Sequence, residues 1–169
     1  MIRISLADFV DFVAKSGRPK RTKVKEAKFR EDYQPKFDFW KFLRDQIIDY
    51  HRSNKSEKEY LDEVLPGLTN KLKLKNYPSR IEGYKKFLGR KKTKYFEAPK
   101  RTVTLEGVNI IVNPDLGLFI NNEPHVIKLY FKNEPLSKQK LELIHLLLDF
   151  ALKDSLMWTQ KVGQKIGVV

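Results

Sequence analysis

The sequence predicts an α+β fold: a helical N-terminal half, then a small sheet containing an antiparallel meander and flanked by helices. Three observations carry this. Residues 108–132 hold three short apolar runs, parted by Asn113-Pro114-Asp115 and by Asn121-Asn122-Glu123-Pro124, both rich in turn-forming residues. Before residue 90, apolar residues recur at three- and four-residue spacings, the period of one helix face. After residue 136, Ser137 caps an apolar stretch of helical length.

Taken in order, the chain opens on Ser5, which caps a short helix. Asp8 stands three residues on, and Phe9, Val10, Phe12 and Val13 supply apolar surface until Gly17 and Pro19 end it. A basic arm follows: Arg18, Lys20, Arg21, Lys23, Lys25, Lys28 and Arg30, interrupted by Glu26. Because these cations recur without matching acids, the arm reads as a phosphate-contacting segment in preference to a solvated loop. Tyr33, Phe37, Phe39, Trp40, Phe42 and Leu43 form an aromatic cluster leading into a helix over 37–50. Phe39, Phe42, Leu43, Ile47 and Tyr50 share one face of it, and that spacing favours core over base stacking by Trp40 or Tyr33.

Ser56 and Glu59 make a capping box for a further helix that Pro66-Gly67 ends; its acids Glu57, Glu59, Asp62 and Glu63 read as a solvated face. Lys71, Lys73 and Lys75 alternate with Leu72 and Leu74, the pattern of a short strand or an exposed turn. Arg80 to Leu88 then reads as a helix with Ile81, Tyr84, Phe87 and Leu88 inward. Gly89 to Phe96 is a second basic cluster, read as a cationic loop, with Arg90, Lys91, Lys92 and Lys94, extended by Lys100-Arg101.

The meander comprises Val108–Val112, Leu116–Ile120 and His125–Lys132. In the third run Ile127, Leu129 and Phe131 fall on a core face, while Val126, Lys128, Tyr130 and Lys132 fall on the other. The helix from Lys138 to about Asp154 is apolar nearly all round, so it is buried on more than one side. Lys138, Gln139 and Lys140 stand at its anion-friendly N-terminus, and His145 among leucines reads as a core histidine. Lys165–Val169 reads as a last strand, which leaves open whether the natural chain continues past Val169. The 169 residues suit one domain, with a basic helical part over 1–77 and a sheet-bearing part over 78–169.

The net charge of +13 favours a polyanionic partner, nucleic acid first, with DNA ahead of RNA. No window has the apolar length of a membrane span, and no basic amphipathic helix carries the bulky aromatics of an interfacial anchor. There is no cysteine, which removes disulfides and thiolate metal sites and fits a cytoplasmic protein. No Gly-rich phosphate loop, zinc spacing or internal repeat is present.

Lys128 in mid-strand needs a partner, because lysine is rarely buried unpaired. Asp115 opens the neighbouring strand and can sit near it across the ladder. A carboxylate and a lysine at the mouth of a small sheet suit metal-assisted phosphodiester hydrolysis: the acid holds a divalent ion and the lysine positions water or offsets charge.

Pro114-Asp115 followed one hairpin later by Lys128 resembles the core of the PD-(D/E)XK nucleases, which pair Pro-Asp on one strand with an acidic-x-Lys on the next. The resemblance covers roughly the C-terminal half. It implies a restriction-endonuclease-like α-βββ-α-β core over 78–169, Asp115 as a ligand for Mg²⁺ or Mn²⁺, and Lys128 as a catalytic residue. Val126 departs from the pattern, standing where the family has Asp or Glu. Glu82 on the preceding helix, Glu106 and Glu123 are the candidates for the second acid, and the resemblance makes Glu82 the further metal ligand. Lys132, Lys138, Gln139, Arg90, Lys91, Lys92, Lys94, Arg21, Lys23 and Lys25 would contact phosphate. The expected function is a nucleic-acid-binding, divalent-metal-dependent nuclease. The alternatives are a non-catalytic nucleic-acid-binding module on the same fold, motivated by Val126, and a basic protein-interaction component.

Overall fold

The computed structural model describes residues 2–29, 38–55, 58–131, 136–153 and the backbone of 165–168. In chain order the elements are β1 (Ile2–Ser5), α1 (Leu6–Val13), α2 (Gly17–Lys28), α3 (Lys41–Arg52), a 3-10 turn (Lys58–Leu61), α4 (Lys71–Leu88), β2 (Thr93–Phe96), β3 (Arg101–Leu105), β4 (Val108–Val112), β5 (Leu116–Ile120), β6 (Glu123–Lys128), α5 (Lys138–Leu152) and β7 (Lys165–Val168). The fold is α+β, with helices dominating the N-terminal half. The elements gather into two compact units that interleave along the chain. One draws on Met1–Tyr33, Ala98–Pro114 and Lys132–Lys161, the other on Gln34–Glu97, Asp115–Phe131 and Val162–Val169.

The first unit is built on a three-stranded sheet in the order β1-β4-β3. β1 runs parallel to β4, from Ile2 opposite Val108 to Ser5 opposite Ile111. β3 and β4 form a hairpin turned by Glu106 and Gly107, both at positive φ (46° and 75°), the backbone hand that a tight two-residue hairpin turn demands. Ser5 caps α1: its Oγ accepts from the Asp8 N–H at 3.1 Å. α1 and α5 pack on each other and on β4. Leu6 and Val10 from α1, Ile144, Leu147, Leu148 and Leu152 from α5, and Ile110 and Val112 from β4 are buried.

The second unit carries a four-stranded sheet in the order β2-β5-β6-β7, antiparallel except for the parallel β6/β7 pair. Asn121 and Asn122, at φ 51° and 70°, turn the β5–β6 hairpin. Its core joins Leu43, Ile47 and Tyr50 of α3 with Tyr77, Ile81, Tyr84 and Leu88 of α4. To these it adds Leu116, Leu118, Ile120 and Ile127 from the sheet and Leu129 and Phe131 just beyond β6.

Several elements differ from the reading of the sequence. Val108–Val112 does not extend a meander into Leu116–Ile120; it pairs with β1 and β3 in the other sheet. Asn113-Pro114 is thus a crossing between sheets, and only β5 and β6 of the three runs form a hairpin. The basic stretch after Ser16 is a helix, α2, because Pro19 falls in its first turn, where the amide hydrogens are unpaired anyway. Lys71–Lys75 is neither strand nor turn. Asn70 Oδ1 accepts from the Leu72 and Lys73 amides at 2.9 and 3.2 Å, and α4 runs through Pro78 because Tyr77, Ile81, Tyr84 and Leu88 are all buried on one face. The cationic loop 89–96 includes a strand, β2, paired to β5. Of the helix expected after Ser56, the 3-10 turn is what forms among the described residues; Ser56 and Glu57 lie outside them, as do Arg30, Tyr33, Phe37 and Lys132.

Candidate functional site

The β5–β6 ladder brings the sequence-predicted pair together in the second unit. Leu116 pairs with Ile127, so the residue before one and the residue after the other, Asp115 and Lys128, stand directly opposite. The Asp115 N–H donates to the Ile127 carbonyl at 2.9 Å, and its Oδ2 accepts from the Leu129 N–H at 2.8 Å. The side chain thereby takes the place of a backbone acceptor at the open end of the hairpin. The Lys128 ammonium lies 3.1 Å from Oδ2 and 3.2 Å from Oδ1. The two side chains are 11% and 17% exposed, so water screens the pair only in part.

The network extends to two residues the sequence reading did not single out. Arg44 Nε, on α3, approaches Asp115 Oδ1 at 3.9 Å, and Arg44 Nη2 donates to Asp38 Oδ2 at 2.5 Å. Asp38 in turn accepts from the Trp40 N–H at 3.1 Å, fixing the start of α3. Among the described residues, two acids and two bases alternate in this cluster. The signal in the sequence was faint: Arg44 sits beside Leu43 on a helix otherwise read for its apolar face.

A metal ion would need Asp115 to turn an oxygen toward it, with a second acid at hand. The residues present do not fit that requirement. Oδ2 is held by the Leu129 amide and Lys128, and Oδ1 faces Lys128 and Arg44. Val126 shares a face with Lys128 and lies opposite Gly117; it is fully buried, and the Phe96 ring packs against Gly117. Glu123 stands at the turn end of the hairpin, four pairings from Leu116 and so on the order of 13 Å along the strand. Glu82 is on α4, exposed, and pairs with Lys85 at 3.4 Å. Glu106 belongs to the β3–β4 turn of the other unit. Among the described residues, no three His, Asp or Glu side chains gather closely enough to hold a metal.

The expected phosphate contacts distribute over several elements. In the second unit Arg90, Lys91, Lys92 and Lys94 are exposed, though the Lys91 ammonium folds back onto the Phe87 carbonyl and lies 4.8 Å from the centre of its ring. In the first unit Lys138 and Gln139 are exposed at the start of α5, with Lys138 3.8 Å from Glu142. Among the described side chains, α2 presents Arg18, Lys20, Arg21, Lys23 and Lys25 with one acid, Glu26, which pairs with Lys23 at 2.6 Å. Arg18, Arg21, Thr22 and Lys25, at helical spacings of three and four, line one shallow depression.

Two buried polar pairs also escaped the sequence reading. Lys140 of α5 meets Asp11 of α1 at 3.0 Å, inside the first unit. His51 Nε2 and the Tyr84 hydroxyl hydrogen-bond at 2.6 Å in the core of the second. Burial pushes the His51 imidazole down to about 4 and the Tyr84 phenol up, so both are neutral at physiological pH. His145 is half-buried, and its Nε2 has no hydrogen-bond partner among the described residues, unlike the satisfied core histidine that the sequence suggests.

No family model, characterised protein or solved structure matches the chain. Among the described residues no helix is long and apolar enough to cross a membrane.

Proposed function

We propose that the protein binds nucleic acid through the phosphate backbone and does not cleave it. The observation that carries this reading is the basic face of α2, where Arg18, Arg21 and Lys25 line one surface without an acid among them. Such a face replaces condensed counterions along a phosphate chain, and the entropy of their release supplies affinity with little regard to sequence. The overall charge of +13 adds long-range attraction. DNA and RNA both present this chemistry, and DNA is the first substrate to try.

Hydrolysis by a PD-(D/E)XK-like centre is the lesser reading. Asp115 and Lys128 are juxtaposed as that chemistry would use them, yet the carboxylate is already engaged by the Leu129 amide, Lys128 and Arg44. Its role here is to end the ladder and tie it to α3.

Charge reversal tests the reading. Arg21→Glu with Lys25→Glu should lower affinity for a DNA duplex at least about tenfold at moderate salt. The same charge change at Lys86 and Lys153, exposed on other elements, should cost clearly less. Equal losses would reduce the effect to net charge and remove α2 as the site.

A further inference from the structure

The second unit holds a ladder of aromatic rings that ends in solvent. Trp40 stacks on Tyr77 with centroids 5.6 Å apart and planes 25° from parallel. Tyr77 stacks in turn on Phe42, at 6.5 Å and 13°. The middle ring is immobilised: Tyr77 has no exposed surface, and its hydroxyl donates to the Phe39 carbonyl at 2.6 Å. Phe42, on the first turn of α3, is the terminal ring and is 37% exposed.

Cations flank this ladder. The Lys73 ammonium is 5.7 Å from the Phe42 centroid and 6.0 Å from that of Tyr77. It stands over both rings, while Phe42 keeps 37% of its surface exposed. Lys71 and Lys75 are exposed on the same turns of α4, and Asp45, three residues after Phe42, is neutralised by Lys41. The terminal ring here is part-exposed next to cations, which suits a planar, anionic ligand.

We propose that Phe42 is a stacking platform for one unpaired base of a nucleic-acid strand, with Lys73 meeting an adjoining phosphate. The inference deepens the nucleic-acid reading above and rests on it. Paired bases in a duplex are already stacked and cannot reach the ring, so the platform confers a preference for single strands. The ring is pre-positioned by Tyr77, so stacking demands little ordering of the protein.

The test compares an oligo-dT strand, an abasic strand of the same length and charge, and a duplex, by fluorescence anisotropy. Wild type should prefer oligo-dT over the abasic strand by about tenfold. Phe42→Leu, which keeps apolar packing on Tyr77, should abolish that preference and leave duplex affinity unchanged; Phe42→Trp should retain it. Thermal melting of both variants confirms folding. Arg21→Glu with Lys25→Glu should weaken all three ligands alike. Equal wild-type binding of oligo-dT and abasic strands overturns the platform while duplex binding upholds the nucleic-acid reading. A preference that survives Phe42→Leu also overturns it. Wild type that binds none of the three overturns both.

Discussion

The Lys128 ammonium lies 3.1 Å from the Asp115 carboxylate because the two residues stand directly across the β5–β6 ladder. The same carboxylate accepts the Leu129 N–H and approaches Arg44 of α3. Removing it leaves an amide without its acceptor and takes one counter-charge from Lys128 and from Arg44. Asp115→Ala should therefore cost about 2–3 kcal/mol in urea denaturation. Lys128→Met keeps the stem's packing and leaves Asp115 beside Arg44, so it should cost about 1 kcal/mol. The double variant should cost less than the two together, by about 1 kcal/mol. Strict additivity would mean the two charges do not interact.

Position 126 separates a structural network from a latent metal centre. Val126 is fully buried opposite Gly117. Val126→Glu restores the acidic-x-Lys spacing of the resembled nucleases but places a carboxylate in an apolar layer. It should destabilise the protein by about 3 kcal/mol or more and yield no Mg²⁺-dependent cleavage. A stable variant that cuts DNA with Mg²⁺ would establish the nuclease-like centre.

Gly117 is held to glycine by its neighbour across the sheet. A Cβ there would stand 2.5 Å from Phe96 Cδ2 and 2.6 Å from the Phe96 carbonyl oxygen. Gly117→Ala should cost about 2–3 kcal/mol. Adding Phe96→Leu should recover only part of that, because the carbonyl contact persists. Full recovery would assign the whole clash to the ring.

The His51–Tyr84 pair makes stability depend on pH. Burial lowers His51 to about 4, whereas the unfolded chain takes up the proton near 6.5. Between those values the unfolded state binds more protons, so stability falls as pH drops from 6.5 toward 4, by up to about 3 kcal/mol, and levels off below. Urea midpoints between pH 7 and 5.5 should show the slope in wild type and its loss in His51→Gln. An equal slope in both would place the titrating group elsewhere.

Local signals in the sequence were read well where local physics decides the outcome. The Ser5 and Ser137 caps, the spans of β5 and α5, and the Asp115–Lys128 juxtaposition all follow from cap chemistry, period and register. What escaped depends on distant partners. β4 pairs with β1 across more than a hundred residues, and nothing within Val108–Val112 marks it as belonging to another sheet. α4 overrides its proline and its strand-like Lys-Leu alternation because four residues, Tyr77 to Leu88, are buried together. Arg44 and Asp38 enter the network only once α3 packs beside the hairpin. Asp11, an acid within the apolar run of α1, finds its partner Lys140 only far along the chain.

The measurement that bears most directly on the central claim is binding of a labelled DNA duplex across a salt series with Mg²⁺ present, the DNA then run on a denaturing gel. Three or more phosphates neutralised by α2 and its neighbours predict a log–log salt slope of about −3 or steeper and intact DNA. Arg21→Glu with Lys25→Glu should flatten the slope, and Asp115→Ala should leave it unchanged. Salt-independent or absent binding would contradict the account, as would strands cut by wild type and spared by Asp115→Ala.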